Sequence, residues 1–275
     1  MKCELINITV DYEERGEGVP IIMLHGFSAD KLMLKSCMEP IFKNKSGFRR
    51  IYLDLPGMGK TPGERWIDTT DKMLQVVLDF IDNIIPNERF LIVGESYGGY
   101  LARGIISKKM DDVDGLLLIC PVIIATHSKR TVDKKVVLYK DEEFLSELTK
   151  EEKESFQSMH VVLNKENWER YNKEIYHSVK SADANFLRYL MMKGYDFSYD
   201  VDKLERPFEK PTTFIMGYQD GVVGFKDALR ILDNFKRASF IVLDRAGHNV
   251  QIEQVKLFNE IVVEWIDRVN EFLNL

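Results

Sequence analysis

Short runs rich in apolar residues, each about the length of a strand, recur along this chain at 19–24, 50–54, 90–93, 115–119, 213–216 and 240–243. Successive side chains of a strand point to opposite faces, so a run without polar alternation must be covered on both sides. Between the runs, residues 68–85, 98–110, 225–234 and 252–273 carry apolar side chains at helical spacing. That alternation predicts an α/β fold, a mostly parallel sheet with helices on both faces. Ahead of it, residues 4–14 alternate as a strand and Arg15-Gly16-Glu17-Gly18 supplies a turn. A hairpin leading into the buried strand at 19–24 is therefore expected.

The rhythm breaks between residues 126 and 205. This stretch holds 14 Lys/Arg and 16 Asp/Glu interleaved with Phe144, Phe156, Trp168, Tyr171, Tyr176, Phe186 and Tyr189. It reads as several amphipathic helices without a buried strand. The expected organisation is a core made of residues 1–125 and 206–275, with 126–205 inserted as a helical cap. Ligands of open α/β sheets bind beyond the carboxyl ends of the strands, so an insertion at that place roofs the site.

Three observations narrow the partners. The longest uncharged apolar run, residues 116–125, is ten residues, about half of the ~20 needed to cross a bilayer. The amino terminus lacks an apolar signal core, so a cytoplasmic protein without a membrane span is expected. A formal charge of −6, from 38 basic and 44 acidic residues, argues against binding phosphate backbones. Nucleic acid is not expected as a partner; a small-molecule substrate is. Cys3, Cys37 and Cys120 are scattered and in no metal-ligand spacing, so neither a disulfide framework nor a zinc site is predicted.

Gly94-Glu95-Ser96-Tyr97-Gly98 follows one predicted strand directly and opens a predicted helix. GxSxG alone is a weak signal; in a turn this tight it holds the serine in a strained conformation with its hydroxyl lifted to the sheet edge. The Tyr97 amide, at a helix amino terminus, suits a developing negative charge. Serine needs a base and an orienting acid. Asp220 stands in the loop after the strand at 213–216, and His248 in the loop after the strand at 240–243. The order Ser96, Asp220, His248 is that of α/β-hydrolase triads. His25-Gly26-Phe27 follows another strand, where the Phe27 amide can join that of Tyr97 in an oxyanion hole. Asp54-Leu55-Pro56-Gly57-Met58-Gly59-Lys60 matches no phosphate-binding pattern and reads as a structural turn.

Through His25-Gly26-Phe27, the Asp54–Gly59 turn, the Ser96 elbow, the Asp220 loop and Gly247-His248, the sequence resembles the α/β-hydrolase superfamily over essentially its whole length. Within it, the likeness is to single-domain serine hydrolases with a helical cap. The resemblance implies Ser96 as nucleophile, Asp220 as orienting acid, His248 as general base, and the Phe27 and Tyr97 amides as oxyanion hole, with no metal or organic cofactor. Tyr218 departs from the family, where a basic or polar residue is common, and this bears on loop packing.

Rivals exist for each role. Asp244 and Asp54 also lie at strand ends, though Asp244 reads better as a brace of its own loop. His25 reads as a brace of the oxyanion loop. His127, His160 and His177 fall in the charged insertion and read as solvated surface residues. Glu95, beside the serine, is expected to point into the fold. The expected activity is hydrolysis of a small carboxylic ester or related acyl compound through an acyl-enzyme. C–C bond hydrolysis, a proline-type aminopeptidase on the same triad, and a ligand-sensing protein with this fold are the alternatives.

Overall fold

The computed structural model describes residues 1–274. The chain runs through β1 (Lys2–Leu5), β2 (Ile8–Arg15), β3 (Val19–Leu24), α1 (Leu32–Phe42), β4 (Phe48–Leu53), α2 (Thr70–Ile84), β5 (Phe90–Glu95), α3 (Tyr97–Lys109) and β6 (Val113–Ile119). Next come β7 (Tyr139–Lys140), α4 (Glu142–Glu147), α5 (Lys150–Met159), β8 (Val162–Leu163), α6 (Lys165–Tyr171), α7 (His177–Ser181) and α8 (Ala184–Gly194). The chain then returns to β9 (Thr212–Gly217), β10 (Ala238–Leu243), α9 (Val250–Glu253) and α10 (Val255–Leu273).

Eight strands form one sheet in the order β1-β2-β4-β3-β5-β6-β9-β10. From β4 to β10 neighbours are parallel; β1 and β2 are antiparallel additions at one edge. Every residue of β5, β6 and β9 is buried, as runs apolar on both faces require, whereas the edge strand β10 is half-buried for most of its length. Each such Leu, Ile or Val contributes roughly 1.5–3 kcal/mol relative to an exposed side chain.

Three expectations need correction. The single strand expected over 4–14 is two strands, because Asn7 takes φ +70° and turns the chain between them. Nor does β2 form a hairpin with β3: it pairs with β4, in the register Tyr12↔Leu53, because β3 takes β4 and β5 as its two parallel neighbours. The helix expected at 225–234 is a 3-10 segment, Ala228–Asn234.

Residues between β6 and β9 carry the five helices α4 to α8, and also a buried strand that the sequence pattern did not show: Val162–Leu163, paired with Tyr139–Lys140. Phe144, Phe156, Trp168, Tyr171 and Tyr176 pack into a second apolar cluster with Ala29 and Met33, after β3, and Ile252, after β10. Phe186, Leu187, Leu190 and Phe197 join the main core instead. The aromatic residues thus bind this layer to the loops at the carboxyl ends of the strands.

Candidate active site

At the end of β5 the chain must turn from strand to helix within one residue. Ser96 makes that turn with φ 51° and ψ −112°, a strained backbone for a residue with a side chain. The turn is possible because α3 lies against the strand ends: a Cβ on Gly98 would sit 1.9 Å from the Leu24 carbonyl oxygen. Ser96 Oγ lies 2.9 Å from His248 Nε2, and His248 Nδ1 lies 2.8 Å from Asp220 Oδ2. An ionised carboxylate only accepts, so Nδ1 carries the proton and Nε2 is left to accept from the serine hydroxyl. The other oxygen of Asp220 accepts from the amides of Val222 (2.8 Å) and Val223 (3.1 Å). All three side chains are buried.

Burial alone would raise the Asp220 carboxyl, but the charge and hydrogen bond of His248 and the two amides together hold it below its ordinary range. Burial would likewise lower His248; the charge and hydrogen bond of Asp220 outweigh it and raise the imidazole. Glu95 is fully enclosed, and burial pushes its carboxyl up to about 8.

Phe27 and Tyr97 flank the serine. Neither amide donates to an acceptor among the described residues. The two rings meet edge to face at 5.2 Å, Tyr97 stacks on Tyr195 at 5.2 Å, and the Tyr97 hydroxyl bonds Thr70 at 2.9 Å. His25 braces the same loop: its Nδ1 donates to the Gly26 carbonyl at 2.8 Å, and its Nε2 accepts from the Leu55 amide at 3.0 Å.

The rival acids lie elsewhere. Asp244 accepts from Gln219 Nε2 at 2.6 Å, bridging two loops. Asp54 accepts from the amides of Lys31 and Lys60 and from the Lys31 ammonium, which holds the turn at 54–60 together. Tyr218, the departure from the family pattern, is exposed and stacks on Phe225 at 5.2 Å. Cys120, Asp220 and His248 offer ligand atoms within 4.8 Å of one another. That set suits a cation poorly, since Asp220 and His248 are engaged with each other and burial pushes the Cys120 thiol well up.

One histidine corrects the sequence reading. His160 is fully buried, not solvated. It closes the carboxyl end of α5, packs between Phe156 and Tyr171, and burial lowers it to about 3. Its Nδ1 donates to the Phe156 carbonyl, so Nε2 accepts, and the contact with Asn249 at 3.3 Å comes from the Asn249 amide group. His127 and His177 are exposed as expected.

Reading the sequence also missed Glu253. Its Oε2 accepts from the Gly247 amide at 2.6 Å, and its Oε1 accepts from the amides of Val161 and Val162 at 2.7 and 2.8 Å. One carboxylate thus fastens the His248 loop to β8. No motif marks it; the one available signal is an acid in the first turn after the histidine.

Two cavities meet at Ser96 and His248. The larger, about 780 Å³, is bounded by Phe27, Arg130, Met191 and Tyr195; the smaller, about 170 Å³, by Glu95, Met159, Tyr171 and Asn249. Residues from the layer between β6 and β9 line both. Among the described residues no helix is long and apolar enough to cross a membrane.

Similarity to known proteins agrees with this architecture. A solved alpha/beta superfamily hydrolase from Oenococcus oeni PSU-1 is 32% identical, with 96% of this chain and 97% of that chain covered at a TM-score of 0.86. A monoacylglycerol lipase, ABHD6, of Bos taurus is 25% identical over 93% of this chain and 77% of its own length. A 2-hydroxy-6-oxo-6-(2'-aminophenyl)hexa-2,4-dienoic acid hydrolase of Metapseudomonas resinovorans is 24% identical over 94% of this chain and 87% of its own. The model of the alpha/beta hydrolase fold family matches residues 19–255, and the chain belongs to that family.

Proposed function

We propose that this chain is a serine hydrolase of small carboxylic esters or related acyl compounds. The observation that carries the reading is the hydrogen-bonded series Ser96 Oγ, His248 Nε2, His248 Nδ1, Asp220 Oδ2. In this reading His248 takes the Ser96 proton as the hydroxyl oxygen attacks a carbonyl carbon. The amides of Phe27 and Tyr97 hold the oxyanion, and Asp220 orients the imidazole and stabilises its charged form. Collapse of the tetrahedral intermediate expels the alcohol, which receives its proton from His248. A water then attacks the acyl-enzyme by the same route and releases the acid. Residues 126–205 act as a cap that closes both cavities, and no cofactor is required.

A second reading, C–C bond hydrolysis on the same triad, is supported by the similarity to the dienoic acid hydrolase of Metapseudomonas resinovorans. The deciding experiment is intact-mass measurement of wild type and Ser96→Ala after treatment with a fluorophosphonate, followed by a panel of aryl esters, prolyl amides and vinylogous diketones. A single adduct on wild type that is absent from the variant, with sustained turnover of esters, is expected. Folded wild type without an adduct removes the serine-hydrolase reading in favour of a ligand-sensing protein.

A further inference from the structure

Arg130 is unlike the other arginines drawn into this fold. Arg50 faces Glu39, Arg103 faces Asp202 and Arg170 faces Glu174. Arg130 instead gives Nε to the Ile124 carbonyl (2.7 Å), Nη1 to that of Val222 (3.0 Å) and Nη2 to that of Ala125 (2.9 Å). Carbonyl oxygens satisfy donors without bringing a charge. The neutral Tyr195 hydroxyl lies beside the guanidinium as well, so the whole positive charge is left, and no carboxylate among the described residues pairs with it.

Its position gives that charge a use. Arg130 lines the 780 Å³ cavity together with Ser96 and His248, and is close enough that its charge works against protonation of His248. The three carbonyls fix the guanidinium between the segment after β6 and the Asp220 loop, so it is held ready before any ligand enters. Two acids share the cavity wall: Asp71 accepts from the amide and hydroxyl of Ser198, and Asp196 from the Thr126 hydroxyl, so both keep their charge, but neither forms an ion pair with Arg130. The rest of the wall includes a second cation, Lys193, and Phe27, Val122, Met191 and Tyr195, which suit a short hydrocarbon body.

We propose that the larger cavity selects acyl compounds bearing a carboxylate, such as half-esters of short dicarboxylic acids, and that Arg130 is the residue that determines this specificity. The proposal rests on the Ser96 hydrolase reading. A carboxylate in this cavity meets a preorganised guanidinium under partial exclusion of water, where a charge-assisted pair is stronger than at an open surface.

The test compares two esters of one length, mono-4-nitrophenyl glutarate and its methyl-capped diester, on wild type, Arg130→Lys and Arg130→Gln. Wild type is expected to favour the free acid by about tenfold in kcat/KM, through KM and less so as salt is added. Arg130→Lys keeps part of that preference and Arg130→Gln loses it. Wild type that hydrolyses the capped ester as well as the free acid overturns the proposal while leaving the serine hydrolase intact, whether or not either variant folds. A preference that survives in folded Arg130→Gln overturns the role of Arg130. Wild type that takes neither ester overturns the proposal as well, and a fluorophosphonate adduct on Ser96 then shows whether the hydrolase reading falls with it.

Discussion

Oε1 of Glu95 lies 3.6 Å from Nε2 of His248, and neither oxygen of that carboxyl has a hydrogen-bond partner among the described residues. A buried carboxylate without partners is costly, so the group stays protonated, with burial pushing it up to about 8. Near neutral pH His248 therefore has two acids beside it in different states: ionised Asp220 on Nδ1 and neutral Glu95 near Nε2.

Above about pH 8 Glu95 ionises. In the proposed mechanism its charge then holds a proton on His248 and repels the oxyanion, so hydrolytic activity is expected to fall on the alkaline side. In Glu95→Gln this loss is absent, and the ratio of variant to wild-type kcat/KM rises several-fold between pH 7 and pH 9. The stability sign agrees. The folded-state pKa is raised, so the contribution of Glu95 is fully present below its ordinary value near 4.5 and declines as pH rises to about 8. Glu95→Gln therefore gains Tm over wild type at pH 8 relative to pH 4.5. Superimposable pH–rate profiles and parallel Tm curves would contradict this account.

On the acid side, the proposed mechanism needs a neutral His248 as base, and Asp220 raises its pKa. Activity accordingly falls as pH drops through a value above 6.5. Asp220→Asn removes the raising charge and leaves burial, which lowers the imidazole, so the acid limb of kcat/KM moves to lower pH. The asparagine also favours the wrong tautomer, and kcat drops by about 10⁴. An acid limb that stays in place in the variant would mean that another group sets it.

The strand ends were legible because each carries a candidate residue directly after an apolar run: Ser96 after 90–93, Asp220 after 213–216, His248 after 240–243. Parallel strands of one sheet bring such loops to one edge, so the order of runs already located the candidate site. The edges were harder to read. Alternation in residues 4–14 fits one long strand or two short ones equally, and a single positive φ at Asn7 decides it. Contacts between the insertion and the core were hidden for a different reason. His160, Arg130 and Glu253 act through contacts 89, 92 and 92 residues apart in the chain, which no local pattern records. In a stretch so rich in charge, a buried histidine looks the same as a solvated one.

Glu253 joins the His248 loop to β8 through three amides. Glu253→Ala leaves those N–H groups without acceptors, at about 1–3 kcal/mol for each that water does not reach. The variant is expected to lose several degrees in Tm. Because Gly247 precedes His248, the proposed base, kcat should fall more than KM rises. Unchanged Tm would show that water replaces the carboxylate at no cost; reduced Tm with unchanged kcat would show that the loop is held by its other contacts.

Gly26 separates stability from activity more sharply. A Cβ there would lie 2.2 Å from Glu95 Oε2 and 3.4 Å from Ser96 Cβ, and the next residue supplies the Phe27 amide. Gly26→Ala therefore has to displace the Glu95 carboxyl or the loop that carries this amide. The core strands are untouched, so the loss of stability should be modest. A displaced donor of the proposed oxyanion hole, however, costs about 10²–10³ in kcat. Shortening the obstructing side chain in the double variant Gly26→Ala/Glu95→Ala should recover part of the rate, because the added methyl group then has space to sit. A double variant as slow as Gly26→Ala alone would place the obstruction at the backbone rather than at Glu95.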